Sequence, residues 1–435
     1  MPRTALRATL FDFADDPLRS EHAARVIEDG LLLIDGGRIA ARDEFAALRD
    51  ALDADDELLD LTGCIVAPGF IDTHIHLPQV DVIASPAPGL LEWLERHTFP
   101  VEAGYADPAV AAEAARFFLD ELARHGTTSA CVFGTVHAGS VDALFAEALA
   151  RDVRLVAGKC LMDRNCPEPL RDTAEGGVRD SADLAARWHG QGRLGYAITP
   201  RFAATSTPLQ LALAGELARA RPDLYIQSHV AESLDEVRWI AELFPDARSY
   251  LDVYDRVGLL RERAVYAHCI HLERDDRHRM AASGALAAVC PTSNLFLGSG
   301  LFDFTLSLAA GMRLALATDV GGGQSFSMLA TMRSAHEVAR LKGVSLGALQ
   351  LWYWATRGAA ESLGWGGRVG TLEPGAEADV IVLDPRATPL LARRTERAQS
   401  FEELLFALIV LGDDRVVRET YVAGRPSKPK AYPFE

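Results

Sequence analysis

The feature that most constrains this chain is a recurrence of type: short apolar, β-branched segments return along the sequence, separated by longer stretches of helical spacing. The short segments are Phe70–His76, Thr127–Gly134, Arg154–Cys160, Leu194–Pro200, Leu224–Val230, Ala264–Ile270, Leu286–Ser293 and Arg313–Asp319. Between them lie stretches such as Pro108–His125 and Pro208–Arg221, whose apolar positions recur every three to four residues. Strand alternating with helix implies a parallel sheet. Eight such units over roughly 300 residues predict a closed (β/α)8, TIM-like barrel.

The two ends break that rhythm. Residues 1–67 hold short alternating segments with turn signals, as in GLLLIDGGRIAA, and the tail repeats the style in GTLEPGAEADVIVLDP and ETYVAGRPS. We therefore expect a catalytic barrel over 68–367 and a small β-sandwich domain formed jointly by 1–67 and 368–435. The turn-forming runs Pro68–Gly69 and Gly366–Gly370 mark the boundaries. At 435 residues the chain is long enough for two such bodies.

Charge narrows the partners. Sixty-one acidic residues against 44 Lys and Arg give a net charge of -17, which repels nucleic acid and acidic membranes. No apolar run reaches membrane-spanning length, and MPRTALRATLFDFADDP lacks a signal-peptide core. Six scattered cysteines without a C-x-x-C pair fit buried, reduced thiols and a cytoplasmic setting.

The chemistry gathers at predicted strand ends. His74 and His76 lie two apart, so in a strand they share a face. His229 ends the fifth predicted strand, His268 the sixth and Asp319 the eighth. All these positions fall on the C-terminal rim, where barrels of this kind place active sites. Imidazoles plus one carboxylate, with room for water, suit a catalytic divalent ion such as zinc. Glu232, three residues after His229, falls where a proton carrier can face such an ion without binding it. Asp235 and Glu236 read as first-turn helix acids. Cys269 neighbours His268 and should face outward. His137, His271 and Trp93 lie near strand ends with either a pocket or a core role open.

The runs PGFIDTHIHLPQ (68–79), EWLERHTFP (92–100), ITPRF (198–202), SHVAE (228–232), CPTSNLFLGSG (290–300) and ATDVGGGQSFSM (317–328) resemble the guanine deaminases, a family of the amidohydrolase superfamily. The resemblance spans nearly the whole chain, and H-L-P-Q with P-R-F narrows it within the superfamily. It implies one Zn2+ per chain, with Fe2+ as the second candidate, held by His74, His76, His229, His268 and Asp319. Gln79, Arg201 and Phe202 would hold the purine base beside His229, Glu232 and Asp319. It also implies a cytoplasmic homodimer. The reaction implied is hydrolysis of guanine to xanthine and ammonia, with Asp319 and Glu232 moving protons.

Arg201 can only donate, which suits the O6 acceptor of guanine; adenine would leave a buried guanidinium unpaired. Related rings stay open as substrates: 8-oxoguanine, a pterin or a triazine. A two-metal cyclic-amide hydrolase would need a lysine at the end of the fourth strand. That strand ends ITP, and Lys159 ends the third instead, so one metal is expected.

Overall fold

In the computed structural model, which describes residues 3–430, eight parallel strands follow one another in chain order. They are β1 (Phe70–His76), β2 (Thr127–Phe133), β3 (Arg154–Gly158), β4 (Leu194–Pro200), β5 (Tyr225–Val230), β6 (Ala264–His268), β7 (Leu286–Val289) and β8 (Arg313–Leu316). Each pairs in parallel with its predecessor. All eight expected strands are present. β3 stops at Gly158, and a separate two-residue strand, Cys160–Leu161, pairs with β4. Gly158 permits a close approach that no side chain allows: a Cβ there would lie 1.9 Å from the carbonyl oxygen of Ala197.

The seam between β8 and β1 closes the barrel. The Thr73 hydroxyl donates to the Leu316 carbonyl at 3.0 Å, and the Asp319 amide donates to the His74 carbonyl at 3.0 Å. Buried Asp72 accepts from the Thr318 amide at 3.1 Å and from the Thr318 hydroxyl. The axis is filled mostly by small side chains such as Ala197, Ala267, Ala288, Ala315 and Ala317.

The helices cover the outside. Pro108–Arg124 shows how the sequence specifies one: the Asp107 carboxylate accepts from the Ala109 amide at 2.8 Å, and Pro108 fills the first helical position. Ala111, Ala115, Phe118, Leu119 and Leu122 then form the buried stripe.

The terminal segments meet as expected, in one continuous seven-stranded mixed sheet. Its order is Arg425–Pro426, Val417–Val422, Val380–Leu383, Glu57–Pro68, Thr4–Phe13, Ala24–Asp35 and Arg38–Glu44. One face, with Phe11, Phe13, Ile65, Ala67, Ile381 and Leu383, joins the core shared with the barrel. The other closes over Leu6, Leu10, Leu32, Ile34, Val66, Val380 and Val382. Two helices, Pro389–Thr395 and Phe401–Leu411, interrupt the tail, and the second packs on the barrel helices Met328–Leu341 and Ala348–Ala355. Arg193 pins the sheet to the barrel, reaching Glu377 at 2.7 Å and Asp379 at 2.8 Å. No helix of the described residues is long and apolar enough to cross a membrane.

Candidate metal centre and base pocket

The local structure of β1 decides where its histidines point. Strict alternation would put Ile71, Thr73 and Ile75 on one face and His74 and His76 on the other. A register shift against β2 between Asp72 and Ile75 breaks that parity. Ile71 consequently belongs to the axial core while Ile75 faces the outer one, and both imidazoles turn to the axis. The sequence places the two histidines on one face; the bulge aims that face inward.

The strand ends bring their side chains together. Ligand atoms of His74, His76, His229 and Asp319 all lie within 4.8 Å of one another. His74 Nε2 is 3.1 Å and His76 Nε2 3.3 Å from Asp319 Oδ1, and the Nε2 atoms of His76 and His229 are 3.2 Å apart. His268 Nε2 reaches within 3.8 Å of Asp319 Oδ2. The backbone is strained at this rim, with φ of 70° at His268 and 52° at Asp319.

These residues fit a divalent ion. His229 Nδ1 donates to the Arg201 carbonyl at 2.6 Å and His268 Nδ1 to Asn294 Oδ1 at 2.8 Å, which leaves both Nε2 lone pairs facing the centre. His74 Nε2 is buried beside Asp319 Oδ1. Burial pushes the Asp319 carboxyl upward, but the charge of His74 and hydrogen bonds from His74 and His76 outweigh it and hold it well below the usual carboxylate range. Ionised Asp319 is the form that ligates, and an arriving divalent ion would displace the proton of His74 to reach its lone pair.

Cys290 lies beside this group, with His74, His268 and Asp319 within the same span, and sequence reasoning passed over it. Burial first, and the charge of Asp319 next, push its thiol well up, and it points to the Ala288 carbonyl at 3.4 Å. A neutral thiol makes Cys290 the floor of the site. Cys269 faces the outer core, as expected. Lys159 is engaged by Asp172 at 2.6 Å.

Glu232 sits at the edge of the centre. Its Oε1 accepts from the Ser299 hydroxyl at 2.8 Å, and its Oε2 is 3.3 Å from His268 Nε2. Burial, then the charge of Asp319, raise its carboxyl to about 8. Glu236 lies in the first turn of its helix as expected, and it also completes a capping box with Ser233. It is also buried, and it accepts from the Glu232 amide at 2.8 Å and from the Tyr250 hydroxyl at 2.6 Å. It thereby braces the Glu232 turn.

A cavity opens over the centre, lined by Gln79, Trp93, Arg201, Phe202, Leu297 and Gly322 together with the histidines and acids. Trp93 is therefore a pocket residue. His271 is not among its lining residues; it braces Ser299, whose carbonyl is 2.8 Å from His271 Nε2. His137 lines a different cavity, near Tyr105 and Asp172.

The expectation that adenine would leave the Arg201 guanidinium unpaired needs correction: its Nη1 is 2.5 Å from Glu102 Oε2, and both side chains are buried. Glu102 also accepts from Gln79 Nε2 at 3.3 Å. Sequence reasoning missed Glu102, two residues beyond the run EWLERHTFP; an acid set in an apolar segment was the available signal.

Residues 65–426 match the amidohydrolase family. The chain belongs to that family. Within the amidohydrolases, guanine deaminase of Escherichia coli strain K12 is 44% identical over 424 residues, 97% of each chain. The solved E. coli guanine deaminase superposes with a TM-score of 0.95, covering 97% of this chain and 99% of that one. Guanine deaminase from Bradyrhizobium japonicum is 34% identical, with a TM-score of 0.94 over 98% and 99% of the two chains. A guanine deaminase from C. acetobutylicum, solved with guanine in its active site, is 25% identical, with a TM-score of 0.87 over 98% and 99%.

Proposed function

We propose that this amidohydrolase converts guanine to xanthine and ammonia in the cytoplasm, as a zinc-dependent homodimer. The observation that carries the reading is the coincidence of two groups of residues in one cavity. Four imidazoles and Asp319 converge beneath it, and Gln79, Arg201 and Phe202 line it. The 44% identity to a guanine deaminase over almost the full chain supports the choice of substrate. The same donor set, with the fourth strand ending in ITP and not in a lysine, supports a single ion.

His74, His76, His229, His268 and Asp319 would hold that ion, zinc in the first instance and Fe2+ as the other candidate. When bound, it supplies Lewis acidity that brings a water near neutrality in its proton affinity. The chain does the rest. Asp319 accepts the proton of the attacking water through its free carboxylate lone pairs. Glu232 is kept protonated by burial and by the charge of Asp319, so it can donate to a ring nitrogen as the C2 carbon becomes tetrahedral. Its carboxylate then takes the proton of the new C2 hydroxyl, as that becomes the carbonyl, and passes it to the departing amine, and the proton held by Asp319 restores Glu232. The Ser299 hydroxyl, donating to Oε1 at 2.8 Å, fixes the Glu232 side chain at the edge of the centre. Arg201 donates to the O6 edge, while Phe202 and Trp93 wall the ring and keep water out.

The test is an assay of purified protein with guanine, adenine, 8-oxoguanine and a pterin, following ammonia, with metal determined on the same sample. Guanine turnover with about one ion per chain supports the reading. Inert guanine with a turned-over pterin or 8-oxoguanine would move the substrate to that ring.

A further inference from the structure

Three groups expected to hold the base carry very different obligations before any base arrives. Phe202 is apolar, but Arg201 and Gln79 are polar and 2% exposed, so each needs a partner within the protein. Both find the same one. Glu102 is fully buried, takes Arg201 Nη1 on Oε2 at 2.5 Å and takes Gln79 Nε2 on Oε1 at 3.3 Å. The Phe99 ring, on the same helix Phe99–Gly104, lies 5.3 Å from the guanidinium carbon. The segment that follows β1 thus clamps both base-binding groups from behind.

Two consequences follow. First, a carboxylate accepts only, so the Gln79 amide must turn its NH2 to Glu102, and its carbonyl oxygen is the end left to accept from a ligand. Arg201 keeps its other guanidinium hydrogens as donors. Secondly, the positive charge of Arg201 is already balanced inside the protein. Burial lowers its basicity and the charge of Glu102 more than restores it, so Arg201 stays charged. The edge of the pocket built by Arg201 and Gln79 therefore meets a ligand with oriented dipoles and no spare charge of its own.

Resting on the guanine reading above, we propose that Glu102 is a positioning residue that makes this pocket selective for a neutral amino-oxo heterocycle over an acidic one. That distinction matters because the reaction changes the ring in just this sense. Replacing the amino group by an oxygen turns a neutral base into the more acidic xanthine, which is partly anionic near neutrality. An uncompensated arginine would hold that product; an arginine paired with Glu102 lets it leave. The same balance excludes urate, an anionic purine of similar shape.

The experiment compares wild type, Glu102→Gln and Glu102→Asp in guanine turnover, with metal content, thermal midpoint, and inhibition by urate and xanthine. Glu102→Gln removes the balancing charge. The guanine KM should rise and inhibition by urate and xanthine should strengthen, each by about tenfold, the low end for an uncompensated buried charge. Metal content should not change. Glu102→Asp keeps the charge and loses the reach. The guanine KM should rise by about tenfold, as for a lost charge-assisted hydrogen bond, while urate inhibition stays at the wild-type value. If Glu102→Gln does not fold, Glu102→Asp with a wild-type KM overturns the proposal alone. A fall in kcat with KM and urate inhibition unmoved would make Glu102 a mere structural residue and also overturns it. Wild type inactive on guanine is a different failure, of the substrate reading rather than of this one.

Discussion

Replacing Glu232 by Gln separates chemistry from construction at this site. The substitution exchanges one carboxylate oxygen for an NH2 group and changes little else. The Ser299 hydroxyl, 2.8 Å from Oε1, can donate to the amide oxygen as it does to the carboxylate. Stability should therefore move by no more than about 1 kcal/mol, the scale of one neutral hydrogen bond. The proton is what disappears. A positioned general acid contributes about 10²–10⁴ in rate, and tenfold is 1.36 kcal/mol, so the barrier should rise by about 3–5 kcal/mol. The assay is steady-state xanthine formation from guanine, with metal per chain and thermal midpoint measured on the same preparation. We expect kcat down by a factor of about 10²–10⁴ at unchanged metal content. A mutant within about threefold of wild-type kcat, well short of the range for a general acid, would refute the proton-carrier role. Loss of metal would refute it too, by showing that Glu232 builds the site.

Removal of the ion should abolish turnover, since the attacking water then lacks the Lewis acid that activates it; readdition of about one equivalent of zinc restores it and raises the thermal midpoint. Full activity after exhaustive chelation would contradict the metal assignment. Gly158→Ala places a methyl carbon against the Ala197 carbonyl, 1.9 Å away, and should cost about 1–3 kcal/mol or more in urea unfolding; an unchanged midpoint would show that the β3–β4 approach is slack. Asp252, which does not line the cavity, tests electrostatics outside it. Burial pushes its carboxyl up, but hydrogen bonds from Arg248 and Arg256 outweigh that and hold it well below the ordinary carboxylate range. A depressed folded value means stability that is present above the unfolded value and lost as pH falls. The gap between wild type and Asp252→Asn should thus be about 1.5–3 kcal/mol and flat above about pH 4, then shrink under acid. A gap independent of pH down to the acid transition would show that the arginines do not act through the charge.

Most of the architecture was legible because strand and helix periods differ and alternate cleanly here. The eight barrel strands fall in the expected segments, and the four histidines and Asp319 sit at their ends. Three things were not legible. The bulge in β1 has no turn residue to announce it in FIDTHIH, yet it decides which way His74 and His76 face. Glu102 belongs to a segment whose short helical turns carry no period, so nothing in its spacing tied it to Arg201, 99 residues away. Cys290 lies one residue past the end of β7, where alternation no longer predicts orientation. In each case the missing information is a backbone irregularity or a long-range contact, and local pattern is blind to both.

The mixed sheet has a consequence for how the chain is made. Glu57–Pro68 is flanked by Thr4–Phe13 on one side and by Val380–Leu383 on the other. The first neighbour leaves the ribosome before it, but the second follows only after the whole barrel. At about 5–20 residues per second, the interval is on the order of 15–60 s. Throughout that time the edge bearing Ile65, Val66 and Ala67 has unsatisfied amides and an apolar flank. The nascent protein is therefore obliged to carry a sticky open edge until its tail arrives. Any product truncated ahead of Val380 keeps that edge for its lifetime, even if all eight barrel strands are present.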